Sequence, residues 1–198
     1  MKLEAKRRID EHARVTAYVV EIIQTRVADR GSELPPEFVV YDPSADRIYL
    51  NIKNKGVVAV IDPSINKVVG EWPTAPATQP HGLALDADNH QVFSAGGNGK
   101  LVAIDTKTGL VTGSMDIAAK VDQIAFDAPG GLIYCAGAGK MSVVRAGGGK
   151  LTSLGDVVTA ATARNVAIDP ANRAVWTTYT DGKASFAKSW MPPETSHN

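Results

Sequence analysis

Short apolar runs separated by turn residues recur four times along residues 37–191 of this chain. One run in each repeat ends in aspartate, and the four runs are FVVYD, GLALD, QIAFD and NVAID, which end at Asp42, Asp86, Asp127 and Asp169. Successive aspartates lie 44, 41 and 42 residues apart. A fixed period in this range is typical of proteins built from stacked structural repeats.

Each repeat continues in the same order after its aspartate. A turn rich in Asp, Pro, Asn or Gly comes first, where Asp can accept hydrogen bonds from its own downstream backbone. A second apolar run leads to a glycine at the point where a hairpin needs a positive φ; these glycines are Gly56, Gly99, Gly139 and Gly182. A third run follows, and the first three repeats add a fourth. The pattern predicts four antiparallel strands per repeat and an incomplete last repeat.

The stretch GLALD…QVFSAGGNGKLVAIDTKTGLVTG resembles the YVTN-type repeat, which belongs to a WD40-like family. The resemblance covers about residues 37–191 and implies an all-β fold of β-propeller-type repeats, with the first strand of each blade lining a central channel. The predicted blades are residues 38–80, 81–121, 122–163 and 164–191. Members of the resembled family usually close a ring with about seven blades. Four blades are fewer than that, so a truncated propeller fragment without independent function stays open as an alternative.

The segment before the repeats has a different pattern. Its small and apolar residues recur at alternating spacings of four and three, at Ile9, Ala13, Thr16, Val20, Ile23 and Val27. This spacing predicts an amphipathic α-helix over residues 1–31, a linker over 32–37 and, at the other end, a tail over 192–198. The alternative is that VTAYVVEII, residues 15–23, forms a strand that completes the last blade. A helix here would cover an open propeller edge or pair two protomers, so a homodimer through the helix or the open blade edges is a further hypothesis.

Ionisable residues stand at the start of each predicted inner strand, five positions before the repeat aspartate. They are Glu37, His81, Asp122 and Arg164, and two amides follow one position later, Gln123 and Asn165. In a propeller these positions ring one mouth of the channel, where they could bind a polar ligand or perform acid–base chemistry. The alternative is that the mouth is polar only because water fills it. We predict a ligand-binding site at these six residues, and no catalytic residue, metal ligand or cofactor.

Composition narrows the classes of partner. Lys plus Arg and Asp plus Glu each number 21, so the net charge is zero, and aromatic residues make up 6%. These values give little support to nucleic-acid binding. No apolar run is long enough to span a membrane, and the charged N-terminus lacks the features of a signal peptide. We therefore take the cytoplasm as the default compartment, although members of the resembled family are often exported.

Two classes of function follow. The first is a non-enzymatic binding scaffold that presents the polar mouth and blade loops to a protein or small ligand. The second is a metal-dependent propeller enzyme similar to a lactonase or a reductase. The sequence contains no recognisable catalytic motif, which favours the scaffold.

Overall fold

The computed structural model describes residues 36–192, which form fifteen β-strands in four antiparallel sheets. The first sheet contains β1 Pro36–Asp42, β2 Arg47–Ile52, β3 Val57–Asp62 and β4 Lys67–Pro73. The second contains β5 Pro80–Asp86, β6 Gln91–Gly96, β7 Lys100–Asp105 and β8 Val111–Asp116. The third contains β9 Gln123–Asp127, β10 Leu132–Gly137, β11 Lys140–Gly147 and β12 Lys150–Val158. The fourth contains β13 Ala167–Ile168, β14 Val175–Thr180 and β15 Ser185–Trp190.

The predicted all-β class is confirmed for this range, where the one helical element is a 3₁₀ turn at Ala128–Gly130. The predicted helix over residues 1–31 and most of the predicted tail lie outside the described residues.

The turns form as their residues predict. The Asp42 carboxylate accepts hydrogen bonds from the backbone N–H groups of Ser44 and Ala45, at 2.9 and 3.2 Å, and so closes the turn between β1 and β2. The hairpin glycines of all four repeats have positive φ, from 65° at Gly56 to 89° at Gly182. A side chain would be strained in this conformation, which explains why glycine recurs at the hairpin.

The four sheets follow one another around an arc, with their first strands innermost. β1 contacts β5, β5 contacts β9, and β9 contacts β13, while the outer strands β8 and β12 also touch. Apolar side chains fill the space between neighbouring sheets. Tyr49 and Leu83 lie between the first two sheets, Phe93 and Ile133 between the second and third, and Tyr134 between the third and fourth. The fold is therefore propeller-like.

Two predicted boundaries differ from the structure. Pro36 and Glu37 belong to β1 and not to a linker; proline is tolerated at the first residue of a strand, where no N–H is needed. β5 begins at Pro80, one residue before the predicted blade boundary. Trp190 ends β15, where it pairs with Val175. The fourth sheet accordingly has three strands, in agreement with the incomplete fourth repeat.

Candidate functional site

Three of the predicted site residues come together at the start of the inner strands. Glu37 lies in β1, His81 lies in β5, and Asp122 immediately precedes β9. His81 Nδ1 is 3.4 Å from Glu37 Oε2 and 3.7 Å from Asp122 Oδ1. The imidazole of the second repeat is thus placed between the carboxylates of the first and third. We call these three residues the carboxylate–imidazole cluster.

The backbone of His81 is held by a buried amide that the sequence did not single out. Asn51 Nδ2, from β2, donates to the carbonyl oxygens of His81 and Gly82, each at 3.0 Å. Asn51 Oδ1 in turn accepts a hydrogen bond of 2.9 Å from Ser94 Oγ, and both side chains are fully buried. A buried amide whose oxygen and nitrogen are both paired fixes the position of the strand it bonds.

Gly82 brings the second and third repeats close enough to form the cluster. A Cβ at this position would lie 2.9 Å from the backbone nitrogen of Ile124, in β9. Any side chain would push β5 away from β9, because atoms of the backbone cannot move aside as a flexible side chain can. Glycine here therefore sets the separation between His81 and Asp122.

The cluster carries more negative than positive charge when the imidazole is neutral. Lys53 Nζ lies 3.5 Å from Glu37 Oε1, so the ion pairs among the described residues bring one ammonium group to a cluster with two carboxylates. The Asp122 side chain is 57% exposed, whereas His81 is 16% exposed. His81 Nδ1 is buried and makes no hydrogen bond of acceptable geometry with the described residues, although both carboxylates are within ion-pair distance. A cationic or hydrogen-bonding group arriving from solvent would meet Asp122 first.

The other three predicted residues do not join the cluster. Gln123 Oε1 accepts a hydrogen bond of 3.0 Å from the backbone N–H of Val166. The backbone N–H of Gln123 donates to the carbonyl oxygen of Arg164. Asn165 exchanges two hydrogen bonds with Thr178, one to the hydroxyl and one from the backbone N–H. Gln123 and Asn165 therefore fasten the fourth sheet, and Arg164 is exposed. The predicted ring of four ionisable residues is in fact a cluster of three.

A second charged group lies at the opposite end of the inner strands. Arg173 Nη2 binds Asp127 Oδ2 at 2.6 Å, and the Asp127 side chain is 2% exposed. Burial, and secondarily the Asp127 charge, raises the pKa of Tyr134 to about 12, so this phenol stays protonated. Burial also raises the pKa of the Cys135 thiol, so this thiol stays protonated. This group joins the third and fourth sheets and holds no reactive atom toward solvent.

Neither a metal-binding cluster nor a membrane-spanning helix occurs in the part of the chain that the structure describes. Within residues 36–192, no group of three or more His, Cys, Asp or Glu side chains is arranged to hold a metal ion. No helix in the same range is long and apolar enough to cross a membrane.

Comparison with known proteins supports the fold. No family model and no curated protein sequence matches the chain. A chain of hydrazine synthase from Kuenenia stuttgartiensis is similar, with a TM-score of 0.70 and 16% identity over 80% of this chain and 46% of that chain. A chain from a crystal structure of the mitotic checkpoint complex has a TM-score of 0.66 and 14% identity over 78% of this chain and 49% of that chain. This chain thus spans about half the length of these neighbours, and its described residues, 36–192, form an all-β, propeller-like fold.

Proposed function

We propose that this protein is a non-enzymatic propeller-type scaffold, built from YVTN-type repeats, that binds a partner at the mouth of its inner strands. The observation that carries the proposal is the convergence of Glu37, His81 and Asp122 from three successive repeats. Only tertiary structure brings these residues together, and the buried Asn51 and Ser94 hold the arrangement in place. The occurrence of a similar fold in the mitotic checkpoint complex, a protein assembly, favours a protein partner.

The chemistry of the cluster favours a basic group on that partner. Lys53 pairs with Glu37, and the other carboxylate, Asp122, has no lysine or arginine within ion-pair distance among the described residues and is more exposed to solvent. An arginine or lysine side chain would form charge-assisted hydrogen bonds there. The alternative of a metal-dependent enzyme lacks a ligand set of three or more side chains among the described residues. We therefore propose a lysine- or arginine-containing peptide segment as the ligand class.

Binding to defined peptides tests this proposal. A set of basic, acidic and neutral peptides of equal length is titrated against the protein, and the imidazole resonances of His81 are followed by NMR. We expect the basic peptides to bind and to shift those resonances. Asp122→Asn should weaken binding by about tenfold, because it removes one charged acceptor while keeping the shape of the side chain.

Asp116→Asn is the matched control, since Asp116 is an exposed carboxylate that pairs with Lys100 on an outer strand. It removes the same charge at a distance from the cluster and should leave binding unchanged. Equal binding of acidic and basic peptides, or an equal loss in both variants, would overturn the proposal in favour of non-specific charge attraction.

A further inference from the structure

Histidine is the residue type in the carboxylate–imidazole cluster that ordinarily changes charge near neutral pH. Histidine side chains titrate between about pH 5 and 8, whereas carboxylates stay ionised above about pH 5 and lysine stays charged to about pH 10. With a neutral imidazole, Glu37 and Asp122 carry two negative charges and Lys53 carries one positive charge. A proton on His81 adds a second positive charge, so the cluster loses the excess negative charge that a basic partner would meet.

The imidazole is placed so that its proton acts on both carboxylates at once. His81 Nδ1 is buried, and it lies 3.4 Å from Glu37 Oε2 and 3.7 Å from Asp122 Oδ1. These are ion-pair distances, and they are longer than the roughly 2.7–2.9 Å of a charge-assisted hydrogen bond. An imidazolium has an N–H group at Nδ1 as well as a positive charge, so it would draw the two carboxylates toward itself. The His81 side chain would then be an internal cation at the place where the partner's basic group binds.

The strands that contact β5 bring the charges that surround the imidazole. These strands are β1, β2, β6 and β9. At the end where His81 lies, β1 contributes Glu37, the residue after β2 is Lys53, and the residue before β9 is Asp122. β6 contains no charged residue, and the glycine that follows it, Gly97, faces the ring, because a Cβ there would lie 3.7 Å from His81 Cδ2. The charged neighbours of the imidazole on these strands are therefore two carboxylates and one ammonium group.

Two further basic residues lie close to the cluster without joining it. The backbone N–H of Lys120 donates to the Gly97 carbonyl at 3.4 Å, and the Arg164 carbonyl accepts from the N–H of Gln123 at 3.1 Å. Both basic side chains are exposed, and within residues 36–192 neither forms an ion pair with the cluster. The other charged residues of the contacting strands lie at their opposite ends, namely Asp42, Arg47, Asp86 and Asp127. The charge balance at this end therefore depends on the cluster and Lys53.

We infer that binding of a basic partner at the cluster is coupled to the loss of a proton from His81. The inference rests on the proposed function, because it takes a lysine- or arginine-containing segment as the ligand. The imidazolium and the partner's basic group compete for the carboxylates of Glu37 and Asp122, so each disfavours the other. Affinity therefore rises as the pH rises through the range in which histidine titrates. Coupling between two binding equilibria is reciprocal, so the bound partner in turn drives the proton off the imidazole.

Peptide titration at two pH values tests the coupling. The probe is an arginine-containing peptide with blocked ends and no other ionisable residue, so its own charge stays constant. At equal ionic strength we expect it to bind about tenfold more weakly at about pH 5.5 than at about pH 8, because the imidazolium cancels one of the charges that attract it. Calorimetry at about pH 6.5 in two buffers of different ionisation enthalpy should show that binding releases protons.

Substitution of two histidines assigns the effect to one of them. His81→Gln keeps a polar side chain that does not titrate, so its affinities at the two pH values should be nearly equal. His90→Asn is the matched control, since His90 lies beyond the other end of β5 and has a φ of 53°, which asparagine tolerates. This variant removes the same titratable group away from the cluster and should keep the full pH effect.

A measurement on the free protein separates this inference from the proposed function. The side-chain carboxyl resonances of Glu37 and Asp122 are followed by NMR as the pH is lowered from about 8 to about 5.5. We expect both to shift together with the imidazole resonances of His81, because the new imidazolium draws on both carboxylates. In His81→Gln they should stay nearly constant over the same range.

The outcomes that would overturn the inference differ from the one that would overturn the proposed function. If the peptide binds equally well at both pH values, the proposed function stands and the coupling does not exist. If the carboxyl resonances do not follow His81, or if the pH effect persists in His81→Gln, another group responds to the pH and the inference is wrong. If the peptide binds at neither pH, the proposed function is wrong and the inference falls with it.

Discussion

The first and fourth sheets are built from the same repeat, yet they end the arc in different ways. The first sheet has four strands and an outward face of buried aliphatic side chains such as Ile48 and Leu50. The fourth has three strands and an outward face on which Thr178 and Ala187 are exposed. The comparison teaches that one repeat can give the same backbone path while the outward faces of its copies differ in both residues and burial.

The energetic reason is the size of the apolar area. Fully burying a leucine or isoleucine side chain contributes roughly 1.5–3 kcal/mol, so exposing the four such side chains of this face to water would cost stability and create an aggregation-prone apolar patch. Threonine and serine on the fourth sheet lose little by contact with water. The two ends can therefore be compared directly by substitution.

Truncation of a buried side chain should distinguish the ends most strongly. We expect Leu50→Ala to lower the free energy of unfolding by about 2–5 kcal/mol, because it leaves a cavity among buried aliphatic side chains. Trp176→Ala should cost about 1 kcal/mol or less, since the indole is already partly exposed. Denaturant unfolding measures both. If both variants lost the same free energy of unfolding, the two outward faces would be equally buried and the two ends of the arc would not differ.

Amide hydrogen exchange should be slower in the first sheet than in the fourth sheet. Strands β2 and β3 are the two central strands of a four-stranded sheet whose outward side chains are buried, whereas β15 is the edge strand of a three-stranded sheet. We expect β15 to exchange about a hundredfold faster or more, because few buried contacts hold it. Mass spectrometry of peptides from each strand gives the comparison. Uniform protection would indicate that another segment pairs with β15, as the alternative strand interpretation of residues 15–23 predicts.

The ion pair between Arg173 and Asp127, which joins the third and fourth sheets, should contribute more to the free energy of unfolding than an exposed ion pair does. Arg173→Ala removes the partner of the buried Asp127 carboxylate, so we expect a clear drop in stability and faster exchange in β14. Lys100→Ala breaks the exposed pair with Asp116 and should change stability little. If the two variants unfold at the same denaturant concentration, the ion pair does not fasten the fourth sheet.

The loss of stability in acid that comes from turn aspartates should be the smallest of these effects, and it should be similar in the first and fourth sheets. The Ser64 hydroxyl lowers the pKa of Asp62 in the first sheet, and the N–H groups of Ala184 and Lys183 lower the pKa of Asp181 in the fourth. Each contribution is present above the ordinary aspartate pKa of about 4 and is lost as the pH falls through the lowered value.

Asp62→Asn and Asp181→Asn should therefore each reduce stability slightly at neutral pH and flatten its fall in acid. Unfolding curves between neutral and acid pH check this. A much larger effect of one substitution would show that the two sheets differ in their turn aspartates as well as in the residues on their outward faces.

The sequence predicted the strands well because their signals are local. Hairpin glycines such as Gly56 and turn aspartates such as Asp42 act within a few residues, and the structure confirms both. Which of the predicted site residues lie close together could be predicted only in part. Equivalent positions in the repeats pointed to Glu37, His81 and Asp122, but the same logic also chose Gln123 and Asn165, which fasten the fourth sheet. Position in a repeat does not reveal which neighbour a side chain bonds.

The amino-acid sequence by itself determined an all-β chain of four repeats with a shorter last one, because period, alternation and turn residues are read along the chain. Tertiary structure alone decided that His81 lies between two carboxylates and that Asn51 holds its backbone, since these contacts join residues about thirty positions or more apart. It also decided that the outward face of the first sheet is buried, whereas that of the fourth sheet is exposed. Burial depends on what packs from elsewhere, and alternation along one strand carries no record of that second layer.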